Sequence, residues 1–236
     1  MTDNRDKLPG KAGNADVSAF LDKLARTPAV HGPQGRGRLM FAMDATASRG
    51  PTWDRACHIQ GEMFSETAAL GGLEVQLVFF RGFGECKSSP WVSSSDQLVR
   101  RMTAVSCLGG QTQIGKVLRH AIAQAKDRRV NALVYVGDAM EEDLDALCHQ
   151  AGELGLLGVP MFVFHEGGDP VAAQAFRQFA RLTGGAYCRF DAASASQLRE
   201  LLNAVAVFAA GGRRALVDYG KRSGGGAVAQ ITSQVK

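Results

Sequence analysis

Short apolar runs, each followed by an amphipathic stretch, recur through the middle of this chain, and that alternation narrows the possible folds more than any other feature. The runs are Arg38 to Asp44, Glu74 to Phe80, Ala132 to Val136, Met161 to Phe164 and Ala186 to Phe190. Each is too short and too continuously apolar for an amphipathic helix, and reads as a strand buried on both faces. Between them lie stripes at spacings of three and four: Ala56, Ile59, Met63, Thr67 and Leu70; Ile114, Val117, Leu118, Ala121 and Ile122; Leu144, Leu147, Ala151 and Leu154. Two more follow, Ala175, Phe176, Phe179 and Leu182 ahead of Gly184-Gly185, and Leu198, Leu201, Leu202, Val205 and Phe208. Such spacing lines one face of a helix. Glu85 to Val92 reads as a short partner strand. Strands buried on both faces and alternating with helices specify an α/β fold, a doubly wound and mostly parallel sheet flanked by helices on both sides. In such folds ligands bind beyond the carboxyl ends of the strands, where the strand order reverses.

The pattern divides the chain into three zones. Residues 1–37 are rich in Gly, Pro, Asn and charge, with one short amphipathic stretch (Val17, Phe20, Leu21, Leu24) that reads as a helix. Residues 38–210 carry the alternating pattern. Residues 211–236 hold Gly-Gly-Arg-Arg, Ser-Gly-Gly-Gly and most of the excess positive charge, and read as a basic flexible tail. Because Arg213, Arg214, Lys221, Arg222 and Lys236 face only Asp218 there, the net charge of +4 belongs to the tail and the remainder is balanced.

With 45% hydrophobic and 21% charged residues, the 236-residue chain has the composition of a soluble globular protein. No apolar run approaches the roughly 20 residues that span a bilayer. Met1 to Asp6 is polar, without an apolar signal core behind it, so the expected location is cytoplasmic. Five widely spaced cysteines, an odd number, fit reduced thiols, and no Cys-x-x-Cys pair suggests zinc.

Two strand runs end in a carboxylate, Asp44 and Asp138. Alone, each could be a helix cap or turn residue. Asp44-Ala-Thr46-Ala-Ser48, however, places three oxygen-bearing side chains at alternate positions, able to converge on one point as the chain leaves a strand. A hard cation such as Mg²⁺ takes oxygen ligands in a near-octahedral shell and keeps some waters.

Asp44-x-Thr46-x-Ser48 resembles the Asp-x-Ser-x-Ser signature of von Willebrand factor type A (VWA) domains, with Thr in place of the first Ser. Gly109-Gly-Gln-Thr112-Gln-Ile-Gly115 is similar to the family's second element, a Thr in a Gly-rich loop before a helix. Val134-Tyr-Val-Gly137-Asp138 looks like the third, an Asp closing the central fourth strand. The likeness continues through Leu77-Val-Phe-Phe80 and Phe179 to Tyr187, covering roughly residues 38–208. It implies a Rossmann-like fold and a metal-ion-dependent adhesion site, MIDAS. Asp44, Thr46, Ser48, Thr112 and Asp138 would hold Mg²⁺ or Mn²⁺, directly or through water. The open coordination position would accept an Asp or Glu of a partner protein. It also implies a non-enzymatic interaction module, an accessory subunit of a bacterial AAA+ ATPase-type assembly being one setting.

Other readings use the same residues. Gly110-x-x-x-x-Gly115-Lys116 matches most of a phosphate-binding loop, but Val117 stands where the Mg²⁺-binding hydroxyl is needed. A metal-dependent hydrolase could use the same oxygens, but it lacks an evident general base. The basic tail could bind nucleic acid, although its aromatic content is Tyr219 alone. Glu141-Glu142-Asp143 reads as negative charge at a helix N-terminus. The expected partner is therefore a protein, not a membrane or a nucleic acid.

Overall fold

The computed structural model describes residues 35–190, 195–223 and 226–235. The helix expected around Val17 to Leu24 lies outside these residues. The elements in order are β1 (Gly37–Asp44), α1 (Gly50–Ile59), α2 (Gly61–Thr67), β2 (Leu73–Arg81), β3 (Glu85–Ser88), α3 (Ser95–Thr103) and α4 (Ile114–Asp127). There follow β4 (Ala132–Gly137), α5 (Leu144–Leu156), β5 (Met161–Glu166), α6 (Pro170–Thr183), β6 (Ala186–Phe190), α7 (Ala195–Ser223) and α8 (Gly226–Thr232). Among the described residues the strands lie in the order β3-β2-β1-β4-β5-β6; β2 and β3 pair antiparallel, and the other neighbours pair parallel.

Alternation along each central strand divides the core in two. Leu39, Phe41 and Met43 of β1 join Val134 and Val136 of β4 beneath α1, α2, α3, α7 and α8. Met40 and Ala42 join Leu133, Tyr135 and Val163 beneath α4, α5 and α6. All eight β1 residues are buried, which is why that run shows no polar face. Truncating a side chain such as Phe41, fully buried at this centre, costs about 3–5 kcal/mol. The doubly wound architecture read from the sequence is the one observed.

Helix ends follow local chemistry. Asp143 accepts from Ala146 N at 2.8 Å and starts α5, while Asp169 accepts from Val171 N at 2.8 Å ahead of Pro170 and starts α6. The stripe from Trp53 to Leu70 forms two helices and a final 3₁₀ turn rather than one helix. The break falls at Gln60-Gly61, where a glycine interrupts the run. Helix α3, started by Ser94, has only Leu98 and Met102 buried and left too faint a stripe to be anticipated.

The flexible tail expected over 211–236 is corrected by the structure. Residues up to 223 continue α7, and α8 follows, with Leu216, Val228, Ile231 and Val235 buried on the core. Gly212, at φ 70°, breaks α7 in a conformation that L side chains rarely adopt. Four apolar residues spread among Gly and Arg gave little periodicity; only the finished core makes their burial favourable. Just past α8, Gln234 Oε1 accepts from Tyr187 N at 2.9 Å and its Nε2 donates to Tyr187 O at 3.1 Å. One side-chain amide thus pairs with the outer edge of β6 as a neighbouring strand would.

Candidate metal centre

The chain runs outward from β1 to β2 and β3, then returns to the other side of β1 to build β4, β5 and β6. Strand order therefore reverses between β1 and β4, and Asp44 and Asp138 stand at the carboxyl ends of those two strands. Asp44 is almost fully buried, Thr46 and Asp138 are partly buried, and Ser48 is exposed.

Beyond Asp44 the chain enters a short 3₁₀ turn, Ala47–Arg49. Thr46 N donates to Asp44 Oδ1 at 2.7 Å, which fixes both the carboxylate and the start of the turn. Thr46 Oγ1 and Ser48 Oγ are 3.4 Å apart, and Ser48 Oγ donates to Asp138 Oδ2 at 3.1 Å. Asp44, Thr46, Ser48 and Asp138 are thus linked in one hydrogen-bonded chain. Burial pushes the Asp44 carboxyl up to about 6; the charge of Asp138 adds to this, while hydrogen bonding by Thr46 and the charge of Arg49 oppose it. A buried carboxylate beside a second one is a site where a nearby cation gains much.

Thr112 is not hydrogen-bonded to those four residues. Its Oγ1 accepts from Glu141 N at 3.0 Å, and its own N donates to Glu141 Oε2 at 2.9 Å. The Gly-rich loop is thereby tied to the segment just after Asp138. Glu142 reinforces the tie by accepting from Ile114 N at 2.5 Å and Gly115 N at 2.9 Å. The negative charge expected at a helix N-terminus is present, but Glu142 serves α4 across the loop, and only Asp143 caps its own helix. Gly110 packs against the β2–β3 turn, where a Cβ would lie 2.1 Å from Gly82 O, and Gln111 N donates to that carbonyl at 3.2 Å.

Arg49 is the participant that sequence reading missed. It is 1% exposed, forms an ion pair with Glu166 at the end of β5, and places Nη1 3.9 Å from Asp138 Oδ2. Thr52 of α1 donates to the same Glu166 at 2.6 Å. Its position right after Ser48 was visible, but its burial was not, because its acidic partners arrive from β4 and β5. Among the described residues, no group of three or more His, Cys, Asp or Glu is placed to hold a metal ion. The candidate rests on hydroxyls supplemented by two carboxylates, a donor set suited to a hard cation.

No family model matches the chain, and no curated protein matches it. Solved structures do. The SpRpn10 VWA domain superposes with a TM-score of 0.55 at 14% identity, covering 72% of this chain and 95% of that one. Proximal thread matrix protein 1 from the mussel byssus, in a form described as having a zinc-occupied MIDAS motif, gives 0.57 at 15% identity over 75% of this chain and 47% of that one. The pilus adhesin SpaC from Lactobacillus rhamnosus GG gives 0.58 at 12% identity over 76% of this chain, which spans only 30% of the adhesin. At such identities the likeness speaks for architecture alone: the chain has the Rossmann-like α/β fold of VWA domains.

Proposed function

We propose that this protein is a metal-dependent interaction module in which Asp44, Thr46, Ser48, Asp138 and Thr112 hold Mg²⁺ or Mn²⁺, directly or through water. The observation that carries the reading is the approach of Ser48 Oγ to both Thr46 Oγ1 and Asp138 Oδ2, above a buried Asp44. These oxygens fit the group. Hydroxyls and carboxylates are hard ligands, and the Thr112 hydroxyl, accepting one N–H, keeps a second lone pair. When bound, the cation supplies a Lewis-acidic position that an exposed Asp or Glu of a partner protein completes. The chain's own residues position and balance it: Arg49 offsets Glu166 and Asp138, and Glu141 and Glu142 hold the Thr112 loop against the Asp138 loop. SpRpn10 and the thread matrix protein share the fold, and the thread matrix protein carries zinc at a MIDAS motif in one of its structures. The test is a melting curve in saturating Mn²⁺ or Mg²⁺ against EDTA. Metal should raise the melting temperature of the wild type and leave that of Asp44→Ala unchanged; an unshifted wild type overturns the reading.

A further inference from the structure

Between α6 and the outer edge of β6 lies a cleft of about 690 Å³ whose lining includes Arg177, Arg181, Tyr187, Arg189 and Gln234. Its floor is braced. Gln234 holds the Tyr187 backbone, and the Tyr187 hydroxyl lies 2.8 Å from Nδ1 of His165, an imidazole fully buried in β5. The guanidinium carbon of Arg177 stands 4.8 Å from the centre of the Tyr187 ring, and Arg189 Nε donates to Gly167 O at 2.5 Å. Burial holds the Tyr187 hydroxyl above its ordinary range, and the charges of Arg177 and Arg189 both act against that. Two arginines from different elements therefore converge on one side chain.

The cleft's positive charge is not balanced from within. No carboxylate lines it, and among the described residues Arg177, Arg181 and Arg189 form no ion pair. Arg181 lies in the last turn of α6, where a cation complements the helix dipole, but that accounts for one arginine and not for three. Converging like charges repel, and an anion that meets all three replaces repulsion with charge-assisted hydrogen bonds. The spacing suits an extended chain. Arg177 and Arg181 are four residues apart, about 6 Å along α6, and alternate residues of an extended peptide are about 6.6 Å apart on one side. Nucleic acid fits less well, because the ring that the lining offers, Tyr187, has one face covered by Arg177 and little surface left for base stacking. Gln234 occupies the backbone of Tyr187, so side chains must do the holding.

We propose that this cleft binds an acidic, extended segment of a partner protein, with Asp or Glu at alternate positions paired to Arg177 and Arg181 and a further carboxylate paired to Arg189. The site is independent of the metal centre and needs no cation. Four labelled probes test it, titrated into the full chain in EDTA and read by fluorescence anisotropy at fixed ionic strength. They are a peptide of alternating Glu and Ser, its isomer with the Glu residues in one block, its Gln analogue and a short oligothymidine. The alternating peptide should bind more tightly than its isomer, and the Gln analogue should not bind. Arg177→Gln/Arg181→Gln should weaken the alternating peptide by about tenfold or more. Arg100→Gln/Arg101→Gln, which removes the same charge from exposed positions of α3, should bind it like the wild type. If the first variant does not fold, Arg181→Glu should weaken the peptide likewise. Absence of binding by both acidic peptides, equal binding of the Gln analogue, affinity unchanged in the folded cleft variants, or an equal loss in the α3 variant overturns the proposal. Oligothymidine that binds more tightly than the peptides, and is lost in the cleft variants, overturns the assignment to a protein partner. An isomer that binds as tightly as the alternating peptide overturns the spacing.

Discussion

Ser48 Oγ donates to Asp138 Oδ2 at 3.1 Å across a separation of 90 residues, joining the loop after β1 to the loop after β4. Each residue lies just past a strand that pairs with the other's along its length, so the sheet's register sets their approach. Ser48 is exposed and adds little to the core. Ser48→Ala should therefore leave the unfolding free energy of the metal-free protein, read by urea titration, within about 0.5 kcal/mol of wild type. Mn²⁺ affinity, read by calorimetry, should fall about tenfold or more. Equal affinity for both proteins would remove Ser48 from the ligand set.

Arg49 bears on stability more than on recognition. Arg49→Met leaves Glu166 nearly buried without its ion pair, and breaking such a pair from one side costs about 3–5 kcal/mol. Denaturant unfolding should show a loss of that order. Arg49→Met/Glu166→Met, which removes both charges, should recover much of it. A double variant as unstable as the single one would locate the cost in packing, not in charge.

Gly110→Ala probes the loop that carries Thr112. The new Cβ would lie 2.1 Å from Gly82 O, so the loop or the β2–β3 turn must move. Both are at the surface end of the sheet. The expected result is weaker Mn²⁺ binding, with a melting temperature that falls less than for Gly37→Ala, whose Cβ would lie 2.4 Å from Ala209 O under α7. The ratio of the two effects in the two variants is the measurement.

The thiols give a prediction about pH. Burial, with a smaller effect of Asp54, pushes Cys57 up to about 11, and burial alone pushes Cys188 up to about 12. Because the thiolate is the reactive form, both should react with iodoacetamide at pH 8.5 far more slowly in the native protein than in urea. A folded-state value raised above that of the unfolded chain gives stability that is whole below about pH 9 and lost as pH rises through 11 to 12. Alkaline unfolding should therefore steepen above pH 9, and Cys188→Ala should flatten part of that slope.

What could be read in the sequence was what neighbouring residues encode. The buried strands announced themselves because every residue of β1 is inside, and Asp44, Thr46 and Ser48 because a turn brings alternate positions together. Asp138 could be paired with them only through the resemblance of its strand. Arg49, Thr52 and Glu166 could not be seen, since the bond from Thr52 to Glu166 spans 114 residues and its partners carry no local signature. The tail misleads for a related reason. Gly and Arg dominate its composition, whereas Leu216, Val228 and Ile231 are held by a core assembled far upstream.

Gln234 closes one route of association. By occupying both the N–H and the C=O of Tyr187, it removes one rung near the start of the β6 edge on which a foreign chain could lengthen the sheet. The other border, β3, is only four residues long and carries Glu85 and Lys87, ion-paired with each other. Strand addition is thus discouraged at both borders. On the proposed reading, recognition at the metal centre is left to the loops at the strand tips.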